Sequence, residues 1–233
     1  MAAKEYTLVF VKKEQIAENT YSFYFRKEAF TFLPGQYIRM VLPHEDADER
    51  GTSRFFTISS SPHEKAFLII TAKVIKSTFK NKLLSLEPGT YVKIFGPLGT
   101  LILHDEEKER IILLSGGMGI TPFYSMIMYA TAKKLSVPLI LIASFSKSEE
   151  MIFYDALMES SQKNKHISVI YKNRRISAET LRQYINDLDK PKYFIVGPPV
   201  MVEATREILL EELKIDEEKI VTESFTGYKF IPD

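Results

Sequence analysis

The sequence predicts two domains in series: an N-terminal antiparallel β-barrel over residues 1–104 and a C-terminal α/β domain with a doubly wound parallel sheet over residues 105–233. Up to about residue 103, short runs rich in β-branched and aromatic residues recur between Pro-Gly turn signals. From about residue 110, apolar runs alternate with stretches of helical spacing, as in a parallel sheet with helices on both faces. Between the two textures, "HDEEKE" at residues 104–109 is a polar seam.

In the first half the strand candidates are "YTLVFVKK", "YSFYFRK", "QYIRMVL", "RFFTIS", "AFLIITAKVI" and "YVKIFG". Pro34-Gly35, Pro88-Gly89 and Gly96-Pro97-Leu98-Gly99 punctuate them, and one short helix is expected near residues 78–86. In the second half "RIILLS" leads to a helix from about residue 121 and "PLILIAS" to one from about 149. "HISVIY" and "KYFIVG" lead to helices from about 177 and 199. The chain has no evident internal repeat or low-complexity segment.

A length of 233 residues suits one large domain or two small ones. The hydrophobic share of 45% with 26% charged residues is that of an ordinary globular protein, and a net charge of +1 gives no global sign of nucleic-acid binding. No run of eighteen apolar residues suggests a membrane span, and "MAAKEYTLVF" lacks the order of a signal peptide, so the expected compartment is the cytoplasm. The chain has no cysteine, which excludes disulfides, thiol catalysis and cysteine-ligated clusters. Its four histidines, His44, His63, His104 and His166, are scattered without ligand spacing, so no metal site is expected.

The stretch "ILLSGGMGITPFYSMI", residues 112–127, runs from an apolar strand through three glycines into a helix. Amides exposed at such a turn, together with the helix dipole, suit a phosphate. It lacks the Gly-Lys-Ser/Thr ending of a nucleotide-triphosphate loop, and Pro122 stands where a dinucleotide G-x-G-x-x-G motif has its third glycine. Pro122 suits a first helical turn. Taken alone, the stretch reads equally well as an ordinary tight strand-to-helix turn.

With "RFFTISS" in the barrel, "GGMGITP" after the first parallel strand and "VGPPVMV" after a later one, the chain resembles the ferredoxin–NADP reductase family of flavoenzymes over nearly its whole length. The resemblance implies that Arg54-Phe55-Phe56-Thr57 is the family's R-x-Tyr-Ser/Thr flavin motif. Arg54 is then expected at the pyrophosphate, Phe56 against the isoalloxazine ring, and Thr57 near flavin N5. Phenylalanine in place of tyrosine keeps the stacking and loses a hydrogen bond to the ribityl chain. By the same resemblance Thr71 and Lys73 line the site, and Ser77, Thr78, Phe79 and Lys80 in "KSTFKNKL" wrap a diphosphate, which favours FAD over FMN. Many relatives have glycine where Lys76 stands.

The resemblance further places Gly116, Gly117 and Gly119 at the pyrophosphate of NADPH or NADH, with Thr121 capping the following helix. Gly197-Pro198-Pro199 is expected beside the nicotinamide, with Val196 where many relatives have cysteine. Glu223 and Phe225 resemble the family's acidic residue and flavin-facing aromatic, although Tyr228 or Phe230 fit the second role too.

The implied chemistry is hydride transfer from nicotinamide C4 to flavin N5. Without cysteines for an internal cluster, the acceptor is expected to be separate: ferredoxin, flavodoxin, an oxygenase component or free flavin. The second parallel strand ends in Ser144, Ser146 and Lys147, and Arg174 or Arg175 follows the third, while the first carboxylates, Glu149 and Glu150, fall where the next helix is expected. Hydroxyls and a lysine there favour NADPH. The alternatives are a non-catalytic flavin-binding electron-transfer or regulatory subunit and a flavin-free binding module.

Overall fold

A computed structural model describes residues 4–225. The first six strands are β1 (Lys4–Ala17), β2 (Thr20–Arg26), β3 (Tyr37–Val41), β4 (Ser53–Thr57), β5 (Phe67–Lys73) and β6 (Tyr91–Leu98). They form one antiparallel sheet in the order β4-β3-β6-β1-β2-β5, so the last of the six lies in the middle. The two edges meet through an antiparallel bridge between Ile58 and Ile70, which closes the barrel. Side chains complete that seam: Ser60 Oγ accepts the Ile69 N–H at 3.0 Å, and Ser59 Oγ donates to the Ile69 carbonyl at 3.1 Å.

Alternation along each strand explains the filling. In β3, Ile38 and Met40 are buried while Tyr37, Arg39 and Val41 face outward. Leu8, Phe10, Phe23, Phe25, Leu68 and Ile70 join them in one core, each contributing roughly 1.5–3 kcal/mol of burial. Helix α1 (Thr78–Leu84) caps this core with Phe79 and Leu83. Ahead of it, Lys76 has φ +40, the left-handed conformation that a glycine would adopt without strain. Lys76→Gly is therefore expected to raise stability by about 0.5–1 kcal/mol, read from thermal melts, with no change in the fold.

The second domain contains β7 (Ile111–Gly116), α2 (Ile120–Lys133), β8 (Leu139–Ser144), α3 (Tyr154–Lys163), β9 (Ile167–Lys172), α4 (Ala178–Tyr184), β10 (Lys192–Gly197), α5 (Pro199–Glu207) and β11 (Ile220–Ser224). All five strands are parallel, in the order β11-β10-β7-β8-β9. Ile111 and Leu113 pack on one face with Phe123 of α2 and Leu157 of α3; Ile112 and Leu114 pack on the other with Leu181 of α4 and Val202 of α5. Burial on both faces accounts for the unbroken apolar runs.

Two features differ from the sequence expectation. Helix α3 starts at Tyr154 rather than near residue 149, after a separate 3-10 turn at Ser148–Glu150. Ile152 is buried and the Phe153 ring stacks on Tyr124 at 3.9 Å, so tertiary packing draws this stretch out of the helix and leaves Phe153 at φ +62. Strand β11 was not among the expected elements; it adds to the sheet edge beside β10.

The domains are docked by specific contacts. Ser125 Oγ of α2 donates to the Ser60 carbonyl at 2.7 Å, and Lys73 at the end of β5 pairs with Glu150 at 2.7 Å. Ile16 and Ala17 of β1 pack on the second domain's core. Among the described residues no helix is long and apolar enough to cross a membrane.

Candidate active site

On the barrel side, β4 and the start of α1 bring cations together. Arg54 Nη1 donates to the carbonyls of Arg50, Gly51 and Ser53 at 2.8, 2.9 and 2.7 Å, and Nη2 donates to Asp48 Oδ1 at 2.8 Å. Its guanidinium lies over the Phe79 ring, 5.2 Å from the centroid. Lys80 Nζ donates to the Lys73 carbonyl at 2.8 Å. Burial, and then the neighbouring charges of Arg50 and Arg54, push the Lys80 ammonium down to about 8. Asp48 offsets only part of the repulsion among three neighbouring cations, and an anion with two phosphates would relieve more of it. That charge cluster is what makes the residues fit an FAD diphosphate.

Ser77 and Thr78 border the cluster. Ser77 caps α1 by accepting the Lys80 N–H at 3.3 Å, and Thr78 Oγ1 accepts the Asp48 N–H at 3.3 Å. Several expected residues sit differently from the sequence reading. Phe79 is fully buried, so it supports Arg54 from beneath and offers no surface to a ligand. Phe56 is likewise 7% exposed, because its register with Ile38 turns it inward against Phe79. Phe55, on the opposite face, is 65% exposed and meets Tyr37 edge-on. The Thr71 hydroxyl is spent inside the barrel on Ser22 and Ser59, at 3.0 and 2.9 Å. Thr57 is nearly buried at the end of β4, opposite Tyr37.

On the other side, the carboxyl edge of the parallel sheet gathers the remaining candidates. The chain winds from β7 outward to β9 and returns on the other side of β7 as β10, so the switch in strand order falls between β7 and β10. Ligands of open α/β sheets bind at such a switch. Gly116 ends β7, Gly117 to Gly119 form one 3-10 turn, and α2 follows directly. Gly197 ends β10 and Pro198 opens α5, while β11 sets Glu223 beside Val196. The Phe225 N–H donates to the Gly197 carbonyl at 2.9 Å, and its ring is half-buried against the domain core. Tyr228 and Phe230 lie outside the described residues.

Burial pushes the Glu223 carboxyl up to about 7. Beside the glycine turn, Ser115 Oγ is buried with no hydrogen-bond partner, an orphaned polar atom suited to a ligand at this edge. Thr121 does not cap α2; it lies within the helix and its hydroxyl donates back to the Met118 carbonyl at 2.9 Å. At the end of β8, Ser146 and Lys147 are exposed, whereas Ser144 Oγ donates to the Arg174 carbonyl at 2.8 Å. Strand β5 lies against the 117–119 turn, which sets the two halves of the site side by side.

The sequence profile of the oxidoreductase FAD-binding domain matches residues 7–102, and that of the oxidoreductase NAD-binding domain matches residues 113–207. The chain belongs to the ferredoxin–NADP reductase family. FAD and a nicotinamide dinucleotide are the cofactors of this oxidoreductase fold. Among its relatives, flavohemoprotein A of Dictyostelium discoideum is 28% identical over 219 residues, covering 86% of this chain and 55% of that protein. The toluate 1,2-dioxygenase electron transfer component of Pseudomonas putida is 26% identical over 208 residues, covering 84% of this chain and 60% of that protein. The chain thus spans little more than half the length of these relatives. A ferredoxin–NADP reductase from Neisseria gonorrhoeae, solved with FAD and NADP, shares the fold with a TM-score of 0.79 at 18% identity, covering 96% of this chain and 99% of that one.

Sequence reasoning missed Asp48, Ser115 and Glu150. Asp48 and Glu150 stand in acid-rich stretches where no spacing marks the one carboxylate that meets a cation. Ser115 was quoted only as part of the glycine turn, and its lack of a partner is visible only in three dimensions.

Proposed function

We propose that this ferredoxin–NADP reductase-like chain oxidises NADPH or NADH, with NADPH preferred, and passes electrons through FAD to a separate acceptor, an oxygenase component. The contact of β5 with the 117–119 turn supports this reading best, because it brings the barrel beside the sheet's glycine edge. The names of relatives support the acceptor: a dioxygenase electron transfer component and a glycine betaine monooxygenase reductase subunit. Ferredoxin, flavodoxin and free flavin are the other acceptors to assay.

Bound FAD supplies the electron chemistry; the chain's residues bind, orient and shield. Arg54 and Lys80 hold the diphosphate, with Ser77 and Thr78 at its border. Thr57 and Phe56 form the barrel wall behind the ring. Gly116, Gly117, Gly119, Gly197 and Pro198 let backbone approach the nicotinamide dinucleotide, and Lys147 with Ser146 favours a 2′-phosphate. Phe225 covers the site and keeps water out until the nicotinamide arrives. Glu223, whose carboxyl burial keeps protonated up to about pH 7, offers a proton donor at the nicotinamide end. The purified chain is expected to hold about one FAD and to bleach on anaerobic addition of NADPH faster than of NADH. A colourless protein, or a flavin that neither nucleotide bleaches, overturns the reading.

The Glu223 pKa gives a signed expectation. Its folded value of about 7 lies above the ordinary 4.5, so the unfolded chain sheds the proton first and stability falls as pH rises from about 4.5 to 7. Glu223→Gln is expected to stabilise the chain at pH 8 by about 1–3 kcal/mol. In the same variant kcat/KM should lose the fall that wild type shows above pH about 7. A fall that persists in Glu223→Gln assigns that ionisation elsewhere.

A further inference from the structure

The segment "HEDADER", residues 44–50, runs between β3 and β4 and crosses the cation cluster. The Asp48 carboxylate accepts from Arg54 Nη2 at 2.8 Å, from the Arg50 backbone N–H at 3.0 Å, and from Arg50 Nε at 3.2 Å to each oxygen. Arg50 Nη2 also bonds it. The Asp48 N–H reaches Thr78 Oγ1, and His44 Nε2 stands 3.3 Å from the same hydroxyl. One strap therefore engages two of the residues assigned above to the flavin diphosphate.

Hydrogen-bond geometry shows what the strap does there. Arg54 Nη1 is committed to three backbone carbonyls, so the Nε–Nη2 edge is the one left for an anion. Asp48 stands on that edge, and a carboxylate in a guanidinium fork makes the bonds that phosphate oxygens make. We propose that Asp48 is an internal counter-anion of the diphosphate subsite: its carboxylate occupies Arg54 until the flavin diphosphate displaces it, and so sets how tightly and how fast FAD binds. This rests on the assignment of Arg54 and Lys80 to the diphosphate.

In the flavin-free chain Asp48, with Glu49 acting on Arg50, offsets part of the repulsion among Arg50, Arg54 and Lys80. The Arg50 guanidinium above all holds Asp48 down to about 2, so the carboxylate stays charged at every pH where the protein works. Asp48 itself therefore adds a salt dependence to FAD binding and no pH dependence.

The test uses the flavin-stripped chain titrated with FAD, followed by flavin fluorescence and stopped-flow mixing. Asp48→Asn keeps an oxygen for the Arg50 N–H and removes the charge. It is expected to bind FAD about 3- to 10-fold more tightly, with faster association, while Arg54→Ala binds at least about 10-fold more weakly. If Asp48→Asn binds FAD equally or more weakly while Arg54→Ala loses affinity, Asp48 is a structural turn residue and the proposal falls with the site intact. If neither variant changes affinity, the diphosphate assignment fails and the proposal with it. Hydrogen exchange on wild type decides independently of any variant's folding. Amides of residues 44–50 should exchange faster once FAD is bound, and slower exchange overturns the displacement.

Discussion

Gly119→Ala is expected to destabilise the protein by about 3 kcal/mol or more, the upper range for forcing atoms into a packed interior. A Cβ at this position would lie 2.0 Å from the Val196 carbonyl oxygen, 2.5 Å from its carbon and 2.8 Å from Gly197 Cα. All three atoms are backbone of β10, which β7 and β11 hold from both sides, so no rotamer change relieves the clash. For a chain of this size the loss corresponds to a fall of roughly 6–12 °C in Tm. Gly117→Ala is the control. A Cβ there meets nothing within 4 Å, and only the φ of +51 opposes it, at a cost of about 1–2 kcal/mol. Equal melting of the two variants would contradict the close approach of the 117–119 turn to β10.

Arg54→Ala should weaken FAD binding by about 1.5–3 kcal/mol, roughly 10- to 150-fold, the scale of a charged hydrogen bond. Flavin absorbance retained after dialysis reads it directly, and unchanged occupancy removes Arg54 from the site. Lys80 adds a pH dependence whose sign follows from its depressed value of about 8. A bound diphosphate favours the ammonium, so FAD binding draws in a proton around that pH. Affinity should therefore fall as pH rises through about 8 toward 9.5, by up to about tenfold per unit, and Lys80→Met should abolish the slope.

Those two variants probe the part of the molecule that was easiest and the part that was hardest to read in one dimension. The parallel strands were legible because burial on both faces gives unbroken runs such as "IILLS", and the glycine turn because strand, glycines and helix follow without a break. The barrel strands were legible from alternation, but alternation alone does not tell which parity faces a ligand. The resemblance placed Phe56 against the flavin ring and Phe79 at the diphosphate, whereas register with Ile38 and the placement of α1 turn both rings into the core. Thr71 failed for a related reason, since only the closed barrel brings Ser22 and Ser59 to its hydroxyl. The start of α3 depended on the burial of Ile152 and on the stacking of Phe153 against Tyr124 of α2, which no local propensity encodes. Lys76 went the other way: a departure from the family's glycine left the backbone path in place, at the cost of a left-handed lysine.

The central position of β6 governs the order in which the barrel comes into being. Strands β1 and β2 pair as neighbours, and so do β3 and β4; the Ile58–Ile70 bridge links the two groups on one side, and on the other side they meet only when residues 91–98 enter between β1 and β3. On a ribosome adding about 5–20 residues per second, the chain therefore waits on the order of seconds with the barrel open between β1 and β3. Because β6 precedes β7 in the chain, every strand of the barrel is encoded before the first parallel strand begins at Ile111. A chain truncated before residue 91 lacks the strand that joins β1 to β3, and one that extends to residue 98 is the shortest to hold every strand of the barrel.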